Sequence, residues 1–247
     1  MPQGGPFSPL AANIYLNEVD WAFDAIRRKT ADGHYEAVNY HRFADDMVIT
    51  VSGHSSKRGW AELALQRLQE HLEPLGVELN REKTRMVDVL KGESFSFLGF
   101  DFRRVQSRSR TGYFILMTPK KKARQAIKAR IRDVIRNGGA KPAKAIVKQV
   151  NALLTGWVHY FRVGNSRRAF GEIRDYTEMK IRTLLTRRKR RQKRSIGWQR
   201  WSNEYLYGVL GLYWDWKVPP PQKRRRVSMK VSATSMGLIT LLTKIMG

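Results

Sequence analysis

The sequence predicts an α+β fold, with a small antiparallel sheet and packed helices, followed by an all-α bundle. Short β-branched and aromatic runs alternate with amphipathic helical patterns in the first half of the chain. After Pro119 the apolar spacing becomes helical. The charge divides at the same place, because residues 1–118 hold 15 Lys and Arg against 15 Asp and Glu, whereas residues 119–247 hold 32 against 6. We therefore predict one domain at residues 1–118, a second at residues 119–218 and a basic tail at residues 219–247.

Composition excludes several classes of protein. The chain has 247 residues, 42% of them hydrophobic, which is enough for folded cores and unlike a disordered protein. It has no cysteine, so structural disulfides and cysteine-ligated metal are excluded. The first residues lack the basic start and apolar centre of a signal peptide, and no apolar run approaches the ~20 residues that span a bilayer. We expect a cytoplasmic protein without a membrane partner.

The net charge of +26 indicates an anionic partner, because so large a charge repels itself unless it is neutralised. Nucleic acid is the partner that such a chain favours. An anionic membrane is the alternative. It would require one continuous amphipathic anchor, whereas the basic residues here are spread over several predicted elements.

The first predicted element is a helix that begins at Ser8 and Pro9, residues that suit an N-cap and a first helical position. A second amphipathic helix is predicted from Arg58 to Glu73, where Pro74 and Gly76 end it. The inward face of the first helix is predicted to carry Leu10, Ile14, Val19, Phe23 and Ile26. Short strands are predicted at residues 77–79, 85–89, 95–102 (interrupted by Gly99) and 113–117.

Between these two helices, residues 38–51 predict a β-hairpin with Asp45 and Asp46 at its tip. Two acidic side chains at the end of a stiff ribbon can present oxygen ligands to a hard divalent cation. Two Mg²⁺ ions about 4 Å apart can stabilise the attacking and leaving oxygens of a phosphoryl transfer. The alternative is ordinary turn chemistry, which the hairpin by itself favours because Asp is common in turns.

Three amphipathic helices are predicted after Pro119, with Gly-containing links between them. Their apolar stripes are expected to form a core and to carry no chemistry. The stripes are Ala123, Ala126, Ile127, Ile131, Val134 and Ile135; Ile146, Val147, Val150, Leu153, Leu154, Trp157, Val158 and Phe161; and Phe170, Ile173, Thr177, Ile181 and Leu184. Residues 236–247 carry a weak helical pattern, which predicts either a docking segment or disorder at the end of the tail.

A basic run at residues 187–194 precedes a cluster of aromatic residues at 198–216. Bases stack on aromatic rings and phosphates pair with cations, so this combination suits RNA. The candidate RNA-binding residues are Arg187, Arg188, Lys189, Arg190, Arg191, Lys193, Arg194, Trp198, Trp201 and Tyr205. The alternatives are a solvated helix end for the charges and a small core for the rings.

Six stretches of the chain, in order, resemble the reverse transcriptase/maturase proteins that bacterial group II introns encode. Residues 2–16 (PQGGPFSPLAANIYL), 43–46 (FADD), 79–84 (LNREKT) and 97–100 (FLGF) resemble the polymerase part of that family. Residues 156–161 (GWVHYF) and 203–208 (NEYLYG) resemble its maturase part. The resemblance implies a partial reverse-transcriptase palm at residues 1–118, followed by a thumb and an RNA-binding maturase domain.

The resemblance also implies roles for the matching residues. Asp45 and Asp46 would hold catalytic Mg²⁺, with Mn²⁺ as an alternative ion, and Lys83 would stabilise charge or donate a proton at the departing pyrophosphate. Substrate contacts are implied for Gln3, Gly4, Gly5, Phe43 and Ala44 beside the incoming dNTP, and for Phe97, Leu98, Gly99 and Phe100 at the primer 3′ end. The implied partners are group II intron RNA and primer–template nucleic acid, in the bacterial cytosol or at the nucleoid.

The chain departs from this family at its start. The family's third metal-binding Asp and its fingers precede the PQGG block, where this sequence has only Met1. Asp20, Asp24 and Asp32 are the nearby carboxylates, and none matches the missing position. We expect either the C-terminal portion of a longer protein or a chain that a separate N-terminal half completes.

In such a chain, RNA binding is expected to survive better than RNA-directed DNA polymerisation. The alternatives are an RNA-binding maturase module without polymerase activity and an inactive fragment. We expect no cysteine-ligated endonuclease domain, since the sequence has no cysteine. The five histidines offer no i, i+3 or i+4 pair for a metal.

Overall fold

A computed structural model describes residues 8–30, 38–52, 58–107, 112–188, 200–219 and 238–246 of the chain. The described residues form two compact units. Those within 1–97, 102–115 and 226–247 form the first unit, and those within 98–101 and 116–225 form the second. The α+β class predicted from the sequence is confirmed, because small antiparallel sheets and several helices make up the described structure.

The described residues form helices, strands and three short helical turns. The helices are α1 (Ser8–Tyr15), α2 (Asn17–Lys29), α3 (Arg58–Leu72), α4 (Lys121–Arg136), α5 (Ala143–Phe161) and α6 (Arg167–Arg188). The strands are β1 (Val38–Phe43), β2 (Asp46–Ser52), β3 (Glu78–Leu79), β4 (Arg85–Asp88), β5 (Ser94–Phe97), β6 (Phe100–Gln106), β7 (Tyr113–Pro119) and β8 (Leu238–Met246). The short turns are 3₁₀ helices at Glu73–Leu75 and Val89–Lys91 and a π-helix at Tyr205–Val209.

Strand β8, near the end of the chain, lies in the interior of the larger sheet of the first unit. The strand order is β1-β2-β8-β3, and β4 also pairs with β8. In the antiparallel β2–β8 pair, Asp46 lies opposite Lys244 and Ile49 lies opposite Leu241. Met86 of β4 lies opposite the same Leu241. These late residues therefore join the hairpin to the rest of the sheet.

The helical pattern predicted for residues 236–247 is wrong for residues 238–246, which form β8. A short apolar run does not distinguish a helix from a fully buried strand by its spacing. β-branched residues at 239, 240, 243 and 245 fit a strand better than a helix. Pairing on both edges also gives the backbone N–H and C=O groups of β8 hydrogen-bonding partners.

Helices α2 and α3 pack on the larger sheet and bury a core. Helix α3 buries the apolar face that its spacing predicts. The buried residues of this core are Leu16, Val19, Phe23, Val38, Met47, Ile49, Val51, Ala61, Ala64, Leu68 and Leu72. The first predicted helix is interrupted at Leu16, which separates α1 from α2. As a result Val19 and Phe23 are buried as predicted, whereas Leu10 and Ile14 of α1 are exposed.

A smaller sheet has the strand order β5-β6-β7. Phe95 and Phe102 from two of its strands stack with ring centroids 4.8 Å apart. Together with Val48 of β2, these rings belong to a second apolar cluster of the first unit. The boundary between the two units falls within β6 and β7.

Helices α4, α5 and α6 build the second unit, and the apolar stripes predicted from the sequence line its cores, apart from Ala126, which is exposed. One cluster contains Ile127, Ile131, Ile146, Val150, Leu154 and Ile173. The other contains Val147, Ile181, Leu185, Trp201, Leu206, Leu210 and Leu212. The second cluster extends past the helices, because it includes the π-helical turn and residues that follow it.

Candidate functional site

The predicted pair of carboxylates lies at the tip of the β1–β2 hairpin. Phe43 pairs with Asp46, so Ala44 and Asp45 form a two-residue turn. Ala44 has a φ of +54°, in the left-handed region. A type II′ turn requires positive φ at its first central residue, where glycine is usual. An alanine there is strained by about 1–2 kcal/mol, so surrounding contacts must hold the turn in place.

Arg42, the residue before Phe43, provides these contacts. Its guanidinium donates to both carboxylate oxygens of Asp20 on α2, with Nε 2.8 Å from Oδ1. It also donates to Asn13 Oδ1 at 3.0 Å and to the carbonyl oxygen of Ala44 at 3.2 Å. The Asp20 carboxylate raises the pKa of Arg42 above its usual value. Arg42 thus ties the tip of the hairpin to helices α1 and α2.

The role of Arg42 was not predicted from the sequence, although the strand pattern contains a signal for it. Side chains alternate between the two faces of a strand, so Arg42 shares a face with Val38 and Tyr40. Val38 is buried in the core and Tyr40 stacks on Phe23, with centroids 4.7 Å apart. Burial raises the pKa of the Tyr40 phenol, and the nearby Asp20 carboxylate adds to the effect. A cation on this inward face requires a buried partner.

The chemistry of Asp45 and Asp46 fits a magnesium ion. Both residues are half-buried at the tip, and carboxylate oxygens are the ligands that Mg²⁺ prefers. Mg²⁺ is commonly held by one or two carboxylates together with phosphates of the substrate. Binding of Mg²⁺ by Asp45 and Asp46 stays a prediction.

The other acidic residues considered from the sequence have basic partners or lie outside the described residues. Asp20 is bound by Arg42, and Asp24 accepts hydrogen bonds from Arg27 and Arg28. The hydrogen bond from Arg28, with a smaller contribution from Arg27, holds the pKa of Asp24 below its usual value. Asp32 lies outside the described residues. In the ranges that the structure describes, no three His, Cys, Asp or Glu side chains form a group that could hold a metal ion.

Lys83 lies in the turn between β3 and β4, and its side chain is exposed. Asn80 shapes this turn, because its Oδ1 accepts from the amides of Glu82 and Lys83 at 3.1 and 3.2 Å. The Thr84 hydroxyl donates to the carbonyl oxygen of Asn80 at 2.8 Å. The LNREKT stretch therefore forms a turn between β3 and β4 that its own hydrogen bonds close.

The sheet register places this turn level with the hairpin tip. Strand β3 ends opposite Ile245 and β4 begins opposite Leu242, so the turn between them lies beside residues 243–244 of β8. Asp46 lies opposite residue 244 on the other edge of β8. Asp46 and the Lys83 turn thus lie on opposite edges of β8, at the same level along that strand. The role of Lys83 stays a prediction.

The residues predicted to line the nucleotide are placed only in part. Gln3, Gly4 and Gly5 lie outside the described residues. Phe43 is exposed at the end of β1, and Ala44 is half-buried. Their contact with a nucleotide also stays a prediction.

The predicted primer-contacting residues surround the tip of the β5–β6 hairpin. Leu98 and Gly99 have φ values of +48° and +76°, the pattern of a type I′ turn. Within the second unit, the Tyr160 hydroxyl donates to the carbonyl oxygen of Leu98 at 3.0 Å. The Lys120 amide donates to the carbonyl oxygen of Gly99 at 2.8 Å. The tip is therefore held in place by its own backbone groups.

The two phenylalanines of this stretch pack inward. Phe100 is only 5% exposed, and its ring lies edge-on to Phe161 with centroids 4.9 Å apart. Phe97 is half-buried in the apolar cluster that contains Val48. A contact of Phe97, Leu98, Gly99 or Phe100 with a primer stays a prediction.

The second unit presents strongly basic helices. Helix α4 carries seven Lys and Arg against one Asp, and α6 carries seven against three acidic residues. Part of this charge is neutralised internally, since Glu172 accepts from Lys128 Nζ at 2.6 Å and from Arg124. These two bonds, led by that of Lys128, hold the pKa of Glu172 below its usual value. Other cations are exposed, namely Lys121, Lys122, Arg130, Arg132, Lys144, Lys148, Arg167 and Arg168.

The basic run predicted to bind RNA is described only at its start. Arg187 and Arg188 are exposed at the end of α6, and Arg188 donates to the carbonyl oxygen of Gly139 at 2.8 Å. The other candidates, Lys189, Arg190, Arg191, Lys193, Arg194 and Trp198, lie outside the described residues. Arg188 therefore stabilises the α4–α5 connection whether or not it also binds RNA.

Two of the candidate aromatic residues belong to a core. Trp201 is 8% exposed, and its ring lies 4.9 Å from that of half-buried Tyr205. The Trp201 carbonyl accepts from Arg182 Nε at 2.8 Å. The Trp201 ring has little exposed surface on which a base could stack, and its contact with RNA stays a prediction. The alternative of a small aromatic core is the one that the structure supports for this residue.

Comparisons with known proteins agree with the two-part organisation. Residues 1–102 match the family model "Reverse transcriptase (RNA-dependent DNA polymerase)", and residues 124–208 match "Group II intron, maturase-specific domain". Protein YkfC of Escherichia coli strain K12 is 33% identical over 150 residues, which cover 50% of this chain and 38% of YkfC. The chain therefore spans well under half the length of that curated relative.

The two matched domains, in this order, define a class: a reverse transcriptase part followed by a maturase part. The chain belongs to the group II intron reverse transcriptase/maturase family. The resemblance stated from the sequence is thereby confirmed. None of the described helices has the length and apolarity that crossing a lipid bilayer requires.

Proposed function

We propose that this chain acts in RNA-directed DNA synthesis and in binding group II intron RNA for splicing and mobility. One observation carries the proposal: the reverse transcriptase match coincides with a hairpin that presents Asp45 and Asp46, and the maturase match coincides with basic helices. In this proposal the first unit is a partial reverse-transcriptase palm. The second unit is the thumb and maturase domain, which binds intron RNA and primer–template nucleic acid.

The residues of the first unit position the reacting groups. Asp45 and Asp46 would hold Mg²⁺, which when bound offsets the negative charge that develops on the phosphate oxygens. Arg42 fixes the turn that carries these carboxylates. Lys83, on a turn level with the tip, would place its ammonium near the departing pyrophosphate and stabilise its charge. Catalysis in this site is therefore positional and electrostatic.

The test is Mg²⁺-dependent primer extension on an RNA template by the wild type and by Asp45→Asn. We expect Asp45→Asn to abolish nucleotide incorporation, because an amide replaces a charged metal ligand, and to leave affinity for RNA nearly unchanged. Glu70→Gln is the matched control, since it neutralises an exposed carboxylate on α3 of the same unit. Incorporation by the Asp45→Asn variant would contradict the metal-binding role.

RNA binding is measured in parallel, because it tests the second unit separately. Affinity of the wild type for RNA should fall steeply as the salt concentration rises, since each phosphate contact releases counterions. RNA binding without primer extension by the wild type would refute the polymerase part of the proposal. Absence of salt-dependent RNA binding would refute the maturase part.

A further inference from the structure

The second unit contains a pocket of about 480 Å³ beside the middle of α6. This volume lies within the ~300–1,000 Å³ range of small-ligand sites. Its lining combines aromatic rings with charged and amide side chains. The lining residues are Arg174, Asp175, Glu178, Asn203, Tyr207, Trp214 and Trp216.

Trp214 gives the pocket an exposed aromatic surface, because 70% of this residue is accessible to solvent. Its neighbours in sequence are nevertheless fixed. The Tyr213 amide donates to Asn151 Oδ1 at 2.9 Å, and Arg162 donates to Asp215 Oδ2 at 2.7 Å. The Tyr213 hydroxyl also donates to the carbonyl oxygen of Asp215 at 2.9 Å. The backbone on both sides of Trp214 is thus fixed, and the ring stays exposed.

A buried polar group fixes the opposite wall. Glu178 is 7% exposed and accepts from Arg182 at 3.0 Å and from the Tyr207 hydroxyl at 2.6 Å. Burial raises the pKa of Tyr207, with the Glu178 carboxylate adding to the effect. The hydrogen bonds from Tyr207 and Arg182 thus satisfy both oxygens of the buried Glu178 carboxylate.

The side-chain amide of Asn203 lines the pocket, and a hydrogen bond fixes its orientation. Its Oδ1 accepts from Arg182 Nη2 at 2.5 Å, which leaves the amide NH₂ group as a donor at the pocket. Arg174 and Asp175 are exposed at the rim, where Nε and Nη2 of Arg174 both donate to Asp175 Oδ1 at 3.2 Å; the bond occupies one of the two carboxylate oxygens. The pocket thus offers a flat ring together with both donors and acceptors.

We propose that this pocket binds an unpaired base of the RNA, stacked on Trp214 with its polar edge facing Asn203 and Asp175. This inference rests on the proposed RNA binding of the same unit. Unpaired bases are recognised by this combination, in which an aromatic ring covers the face and side chains bond to the edge. The basic helices of the unit favour RNA over a protein segment as the occupant, because they attract its phosphates.

The test compares Trp214→Ala with the wild type for binding to a short single-stranded RNA and to the same sequence as a duplex. We expect single-strand affinity to fall about tenfold, since stacking on one ring accounts for a change of this size. Duplex affinity and the slope of affinity against salt should stay the same, because stacking involves no phosphate. Trp214→Phe should retain most of the single-strand affinity.

Trp21→Ala is the matched control, because Trp21 is 71% exposed on α2 of the first unit. Equal affinities of the wild type and Trp214→Ala for the single strand would overturn the base pocket and leave the proposed function intact. An equal loss for single strand and duplex, or a comparable loss in Trp21→Ala, would also overturn it. Absence of RNA binding by the wild type would instead refute the proposed function itself.

Discussion

Replacing Arg42 by methionine removes the charge that anchors the hairpin tip and keeps most of the side-chain volume. The guanidinium bonds to Asp20, Asn13 and the Ala44 carbonyl, and the Arg42 side chain is only 8% exposed. Breaking a fully buried ion pair costs about 3–5 kcal/mol, whereas a surface pair contributes about 0–1 kcal/mol. Because the Asp20 side chain is 33% exposed, we expect a loss between these limits, about 2 kcal/mol.

Amide hydrogen exchange of peptides from β1 and β2 measures this loss within the first unit. A loss of 2 kcal/mol corresponds to exchange about 30-fold faster. Arg67→Met is the matched control, because Arg67 pairs with Glu70 on the exposed face of α3 and both side chains are largely exposed. That change should accelerate exchange by no more than about fivefold.

The refuting result is an Arg42→Met variant whose hairpin exchanges no faster than that of Arg67→Met. A double-mutant cycle with Asp20→Asn sharpens the test, since residues in one ionic network show a coupling energy of about 0.5–3 kcal/mol. Additive effects would show that Arg42 and Asp20 do not act together.

Two further predictions concern pH and the late strand. The pKa of Glu172 is lower in the folded state than its usual value of 4.5, so the unfolded state binds more protons between these two values. The stabilisation of the fold by the Glu172 ion pairs is therefore complete above pH 4.5 and is lost as the pH falls through the lowered pKa. In urea unfolding, the free energy of unfolding of Glu172→Gln should fall less on acidification than that of the wild type. Leu241→Pro removes a backbone donor from the interior strand β8, so amides of β2 and β4 should exchange faster while those of α4 to α6 do not change.

Each of these two predictions has its own control. For Glu172, the control is Asp175→Asn, because the Asp175 side chain is 68% exposed and should leave the acid response unchanged. Identical acid responses of the wild type and Glu172→Gln would contradict the assigned ion pairs. For Leu241→Pro, unchanged protection of β2 and β4 would show that β8 is not needed to hold the sheet together.

The hairpin with Asp45 and Asp46 could be predicted because its signals are local. Apolar alternation and a two-residue turn are visible within a few residues of each other. The anchor of the tip could not be predicted in the same way, since Asp20 precedes Arg42 by 22 residues and lies on a helix. Strand β8 is the extreme case. Its partners begin almost 200 residues earlier, and its short apolar run fits a helix as well as a strand.

For the aromatic cluster at residues 198–216, the sequence could not predict which rings are exposed. Trp201 and Trp214 lie in the same stretch, yet one ring is buried and the other is exposed. Residues 200–219 contain little regular secondary structure, so no periodicity assigns their side chains to a face. Only the packing of this stretch against the helices determines which ring is available to a ligand.

The hairpin site and the Trp214 pocket explain why the first half of the chain is neutral and the second half is basic. The turn that carries the hairpin carboxylates is held by Arg42, which bonds to α1, to α2 and to the Ala44 carbonyl oxygen, and these bonds do not depend on a polyanion. The proposed partners of the basic helices and the Trp214 pocket are, in contrast, the phosphates and unpaired bases of a nucleic acid. Chemistry and RNA binding should therefore separate under mutation. Asp45→Asn should lower nucleotide incorporation and leave RNA affinity unchanged. Trp214→Ala should weaken single-strand binding and leave the hairpin unaltered. A variant that changed both incorporation and RNA affinity would show that the two sites are coupled.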